Sequence, residues 1–113
     1  MDDCIFCKII KGEIPSTVVY ETDDLIAIKD IDPQAPFHVI IFPKAHIESP
    51  ARITEDNYEI AGKMVLAAAK IAKQEHLDDG YRIVANCGVV GGQTVQHFHM
   101  HMLAKRNMGW PPG

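Results

Sequence analysis

Apolar residues recur at three- and four-residue spacing in two stretches of the chain, and each predicts a helix. From Cys4 to Lys11, Ile5, Phe6, Ile9 and Ile10 share a face, so a short helix is expected there, closed near Gly12. The longer stretch opens at Thr54, a good N-cap followed by Glu55, Asp56 and Glu59 at the positive end of the helix dipole. Its stripe is Ile60, Ala61, Met64, Val65, Ala68, Ile71 and Ala72, with Lys63, Lys70 and Lys73 mostly outside it and Asp78-Asp79-Gly80 ending the helical region. Between and after the helices, β-branched and apolar runs at Val18–Tyr20, Leu25–Ile28, His38–Phe42 and Tyr81–Ala85 predict strands. Two prolines make Asp30–Pro36 a loop, Gly88–Gly92 reads as a glycine-rich loop, and a last strand runs from about Thr94 to Leu103. Antiparallel strands with segregated helices define an α+β fold of about five strands with one long and one short helix.

In that last strand His97, His99 and His101 stand two residues apart and therefore share one face. Phe98, Met100 and Met102 point the other way, under the long helix. Three imidazoles in a row, with His38 opening another strand, need partners for many ring nitrogens, and this carries two chemistries. A His-x-His pair can hold zinc with an open position for water. Alternatively one imidazole is a nucleophile, anchored through its second nitrogen, while its neighbours supply protons and positive charge. Asn86 through Thr94 supplies glycine backbone that can approach an anion, with amide and hydroxyl donors beside it, which suits a phosphate.

At 113 residues the chain fits one domain, residues 1–113, and 47% hydrophobic with 23% charged residues is the composition of an ordinary globular domain. No apolar run approaches the ~20 residues that cross a bilayer, so no membrane span is expected. Met1-Asp2-Asp3 is acidic where a secretory signal is basic, and three cysteines make an odd number, so a cytoplasmic home with free or metal-bound thiols is expected. A net charge of −4 argues against a nucleic-acid partner. The sign is uneven: residues 1–60 carry 12 acids and 5 bases, residues 61–113 carry 3 acids and 6 bases, which leaves room for an anion site in the second half.

The run His97-Phe98-His99-Met100-His101-Met102-Leu103 resembles the motif of the histidine triad superfamily. The resemblance extends over nearly the whole chain, through Ile5-Phe6, Lys8-Ile9-Ile10, Glu13-Ile14-Pro15, Asp30 to Pro36 leading to His38, Gly91-Gly92-Gln93-Thr94, and Asn107 to Gly113. The Trp110-Pro111-Pro112-Gly113 ending is similar to the nucleotide-binding (Hint) branch. That resemblance implies hydrolysis of purine nucleoside phosphoramidates, with release of AMP or GMP through a covalent nucleotidyl-histidine. It implies His99 as nucleophile, with His101 and His38 relaying protons and binding phosphate. It also implies Asp30 for the ribose hydroxyls, Ile5, Phe6, Ile9, Ile28 and Ile31 for the purine, and Asn86, Gly92, Gln93 and Thr94 on the phosphate side. A homodimer is implied too, with Trp110 reaching the partner's site. A purine-nucleotide-binding regulatory or scaffold protein would need the same pocket.

Cys4-Ile5-Phe6-Cys7 departs from the commonest eukaryotic Hint pattern and resembles prokaryotic histidine triad proteins and related uridylyltransferases that hold structural zinc. The resemblance implies Cys4, Cys7, His46 and His97 as a closed Cys₂His₂ set, leaving His99 and His101 for chemistry. A redox Cys-x-x-Cys is the competing reading, although its usual thioredoxin-like βαβ setting is absent. Cys87 has no place in either scheme.

Overall fold

Alternation along the two central strands sorts their side chains onto the two faces of a sheet. The computed structural model describes residues 3–113; Met1 and Asp2, on which part of the acidic N-terminal reading rests, lie outside the described residues. Strands β1 (Val18–Glu21), β2 (Leu25–Lys29), β3 (Phe37–Pro43), β4 (Tyr81–Val84) and β5 (Met100–Ala104) form an antiparallel sheet in the order β1-β2-β3-β5-β4. Leu25, Ala27, Phe37, Val39, Ile41, Met100 and Met102 turn to one face, where Met64, Ala67, Ala68 and Ile71 of helix α2 (Glu59–Gln74) complete the main core. Ile26, Ile28 and Phe42 turn to the other face and pack with Phe6 of the short helix α1 (Ile5–Ile10). His38 and His101 belong to this second face, because β3 and β5 pair Ile40 with His101 and His38 with Leu103. Among the described residues no helix is long and apolar enough to cross a membrane.

The α+β class, the five strands and both helices are as the sequence predicts, and five details differ. The long helix starts at Glu59 rather than at Thr54. Thr54 caps a separate turn instead: its hydroxyl accepts from Asp56 N at 3.2 Å, its own N–H donates to Asn57 Oδ1 at 2.6 Å, and three-residue bonds continue to Ala61. The helix also stops before Asp78-Asp79-Gly80. His76, at φ 56°, takes the left-handed position after the end, and Leu77 N donates to Ala72 O (2.9 Å) while His76 N donates to Lys73 O (3.3 Å). These two bonds are a Schellman closure without glycine, and buried Leu77 supplies its hydrophobic contact. Val65, expected in the buried stripe, is 49% exposed, and Ala67 occupies the core in its place.

The glycine-rich segment forms one helical turn, α3 (Gly88–Gly91), closed by Gly92 at φ 87°. The last strand begins at Met100, six residues later than predicted. Its ladder with β3 ends at the Ile41–Met100 pair, two residues before Pro43, which has no N–H to offer. The chain is held there differently: Phe98 N donates to Ile47 O at 2.6 Å, and the His97 ring bonds to Pro43 O at 2.7 Å. Outside the ladder the alternation persists, since Phe98 is in the main core and His97 and His99 are buried on the opposite face.

Candidate active site and metal cluster

Helix α1 begins on a sulfur cap: Cys7 N donates to Cys4 Sγ at 3.4 Å, so the capping side chain and the one three residues on lie together at the helix start. His46, in the turn after β3, and His97 close on them. Nδ1 of His97 is 3.4 Å from Cys4 Sγ, 3.7 Å from Cys7 Sγ and 3.1 Å from His46 Nδ1, while Cys7 Sγ lies 3.3 Å from His46 Nδ1. Ligands at ordinary zinc–nitrogen and zinc–sulfur bond lengths around a tetrahedron stand about 3.3–3.8 Å apart, so the four donor atoms already lie near the corners such an ion requires. The His97 tautomer agrees. Nε2–H donates to Pro43 O, which leaves the Nδ1 lone pair facing the cluster. Burial, helped by the adjacent Cys4 sulfur, pushes the Cys7 thiol above its ordinary value, and a cation would displace that proton.

His97 is joined to His99 by a second backbone bond. The ring Nδ1 of His99 donates to His97 O at 2.6 Å in a buried position, so its Nε2 carries the free lone pair. Burial holds the His99 imidazole below its ordinary pKa against the opposing pull of the His97 carbonyl and Asp30, and keeps it neutral near pH 7. Phe6 packs nearly perpendicular to both rings, with centroids 5.7 Å from His97 and 5.1 Å from His99, while its face stacks on Phe42 at 4.3 Å.

His38 and His101 form a pair whose polarity is also fixed by the backbone. Gln34 N donates to His38 Nδ1 at 3.0 Å, so the His38 proton sits on Nε2 and is donated across 2.9 Å to His101 Nδ1. The remaining His101 nitrogen, Nε2, therefore carries a proton. Asp30 Oδ2 lies 3.4 Å from His38 Nε2 and 3.9 Å from His101 Nδ1. Burial lowers both imidazoles and Asp30 works against it. These three side chains could also be read as a metal set. The Gln34 N–H argues against that, because a neutral His38 ligating through Nε2 would need its proton on the Nδ1 that Gln34 already occupies.

Beside the histidines opens a cleft of about 590 Å³, and the predicted Ile5, Phe6, Ile9, Ile28, Asp30 and Ile31 all line it. Ile31 is fully exposed at its wall. Ile14, Pro15, Ser16, Thr17, Lys29 and Ile40 complete the lining and are not among the site residues expected from the sequence; the Ile14-Pro15 break before β1 is the available signal. On the other side, Asn86 lies two residues beyond Val84, the β4 partner of His101. Gln93 is buried with its amide fully engaged: Nε2 donates to Glu48 O (2.8 Å) and Val95 O (3.0 Å), and Oε1 accepts from Gly88 N (3.0 Å). It holds the glycine turn in place. Thr94 is exposed, as is Trp110 (85%).

A family model described as "Scavenger mRNA decapping enzyme C-term binding" matches residues 3–110. The chain is 51% identical over 111 residues to a maize (Zea mays) "14 kDa zinc-binding protein", covering 96% of this chain and 87% of that one. It is 45% identical over 111 residues to "Adenylylsulfatase HINT1" of Arabidopsis thaliana, covering 96% and 76%. A solved HIT family hydrolase from Clostridium thermocellum superposes with a TM-score of 0.94 at 49% identity, covering 96% of each chain. The chain belongs to the histidine triad (HIT) family.

Proposed function

We propose that the protein is a nucleotide hydrolase that cleaves the phosphorus–nitrogen bond of purine nucleoside phosphoramidates through a nucleotidyl-His99 intermediate. The observation that carries this reading is the His99 Nδ1–H bond to His97 O, which leaves a neutral Nε2 lone pair beside an apolar cleft and a carboxylate. The purine takes the cleft between Ile5, Phe6, Ile9, Ile28 and Ile31, and Asp30 accepts from the ribose hydroxyls. Nε2 of His99 attacks the α-phosphorus while the amine leaves with the electrons of the broken bond. The amine also needs a proton. His101 Nε2–H is the donor that faces away from His38, and the anionic phosphoryl group favours an extra proton on the His38–His101 pair beside Asp30. Water then attacks phosphorus, returns a proton to the pair and frees His99. Asn86, Thr94 and the Gly92 turn that Gln93 braces bind the phosphoryl oxygens.

A zinc ion held by Cys4, Cys7, His46 and His97 is structural in this reading, supported by the tetrahedral spacing of the donors and by the zinc-binding name of the maize relative. We also propose a single cytoplasmic domain that forms a homodimer. The free edge of β4, half-exposed Val65 and Leu66 on α2, and exposed Trp110 offered to a partner's site support it.

The Arabidopsis relative favours a second substrate, an adenylyl sulfate, for the same nucleophile. The two differ in what the leaving group asks of His101, because sulfate departs as an anion and an amine does not. Steady-state assay of wild type and His101→Asn against adenosine 5′-phosphoramidate and adenylyl sulfate tests the proposal. Turnover of both is expected, with the variant losing on the order of 10²-fold on the amidate and much less on the sulfate. Tight nucleotide binding with no turnover of either would make the chain a nucleotide-binding module instead.

A further inference from the structure

The connection between β2 and β3 has to present one backbone N–H to His38, and no helix or strand holds it. Two bonds shape it from within: Asp32 N donates to Asp30 Oδ1 (2.8 Å), and the Gln34 side chain donates to Asp32 O (2.9 Å). A third comes from outside. Arg106 Nε donates to Gln34 O at 2.9 Å, and its Nη1 donates to Asn107 O at 3.2 Å. Arg106 reaches that position because the chain turns sharply after β5, with Lys105 at φ 70°, a left-handed conformation that a residue with a Cβ adopts only when its surroundings require it. The strand that carries His101 is thereby tied to the loop that orients His38.

The facing nitrogens of His38 and His101 are 2.9 Å apart, so one of them must carry a proton, and either tautomer satisfies that bond. If His101 donated from Nδ1, its Nε2 would be bare and could give no proton to a leaving group. The Gln34 N–H selects the other arrangement, because it occupies His38 Nδ1 and sends the His38 proton to Nε2. We propose that Arg106 is a positioning residue: by tying down the Gln34 carbonyl it keeps the Gln34 N–H on His38 and so sets the direction of the His38–His101 relay. The two Gln34 groups flank one α-carbon, and fixing the carbonyl restricts the rotation that would carry the N–H off the ring. Arg106 is itself exposed and lines no part of the cleft.

The test compares wild type with Arg106→Ala and Arg106→Lys, and its spectroscopic arm is independent of substrate. Long-range ¹H–¹⁵N correlation spectra of the assigned histidines report the tautomer directly. Wild type is expected to show His38 and His101 protonated on Nε2, and Arg106→Ala a mixture at both rings. The kinetic arm rests on the hydrolase reading: kcat on the phosphoramidate should fall on the order of tenfold or more in Arg106→Ala, with KM nearly unchanged. Wild-type tautomers in Arg106→Ala, or a fall in kcat without a tautomer change, would overturn the proposal. So would an Arg106→Lys protein that recovers the rate while the tautomers stay mixed, since charge alone would then be responsible. Absence of turnover in wild type would refute the substrate and leave the tautomer result standing.

Discussion

The cluster at Cys4, Cys7, His46 and His97 and the pair His38–His101 lie on the same face of the sheet, and each contains an imidazole with one nitrogen bonded to backbone, His97 in the cluster and His38 in the pair. They differ in which nitrogen that is and whether it donates or accepts. His97 gives its Nε2 proton to Pro43 O, so a lone pair converges with a second imidazole and two sulfurs: a geometry for an ion. His38 accepts a hydrogen bond from Gln34 N–H at Nδ1, so its other nitrogen must donate: a geometry for moving protons. His99 stands between the two, bonded through Nδ1 to the carbonyl of the residue in the cluster. The same side-chain type thus takes three arrangements on one face of the sheet, at His97, His99 and His38, and the backbone partner decides which.

The sharpest way to break the comparison is to remove the residue in the middle. His99→Ala is expected to lower turnover by at least 10³-fold while nucleotide affinity stays within about tenfold, since the imidazole is needed mainly for bond making. Near-wild-type turnover would end its distinction from its neighbours. Next comes the cluster. Purified in reducing buffer without chelator, the protein is expected to hold about one zinc per chain, and chelation or Cys4→Ser with Cys7→Ser should lower Tm on the order of 10 °C. The rate should fall only secondarily, through the His97 carbonyl that anchors His99. Loss of activity at unchanged Tm would reverse the assignment and place the ion in the chemistry.

The smallest effect sharpens the other side. Burial keeps His38 and His101 below the ordinary imidazole pKa, so as pH falls below about 6.5 the unfolded chain takes up protons that the folded chain does not. Stability is therefore full above that pH and declines beneath it, until the folded imidazoles also protonate. Denaturant midpoints of the doubly Cys-substituted protein, which excludes metal release, should drop between pH 7.5 and 5. A His38→Gln version should show a shallower slope, and an equal slope would mean that the pair does not set the pH response.

The strands were legible because β2 and β3 alternate between two buried faces, and the period-two histidines stood out for the same reason. What composition and spacing could not supply were features set across the chain. The start of β5 depends on Pro43, 57 residues away, and the end of α2 is closed by His76, four residues before the glycine signal at Gly80. The residue types of the cleft and cluster were readable through family resemblance, and the tautomers were not. These depend on Pro43 O, His97 O and Gln34 N, backbone groups that every sequence has and only a fold brings to a ring. Gln93 is a further case, since its amide is engaged by three backbone groups and braces the turn from behind.

The most direct measurement is to mix wild-type enzyme with excess adenosine phosphoramidate, quench in cold base within the first turnovers, and map the adduct by peptide mass spectrometry. Phosphorus–nitrogen adducts of imidazole survive those conditions better than acid. The account predicts one nucleotidyl group per site, on the peptide containing residues 97–101 and localised to His99, and none in His99→Ala. An adduct on His38 or His101, or steady turnover with no trapped adduct at any quench time, would contradict the assignment of His99 Nε2 as the nucleophile.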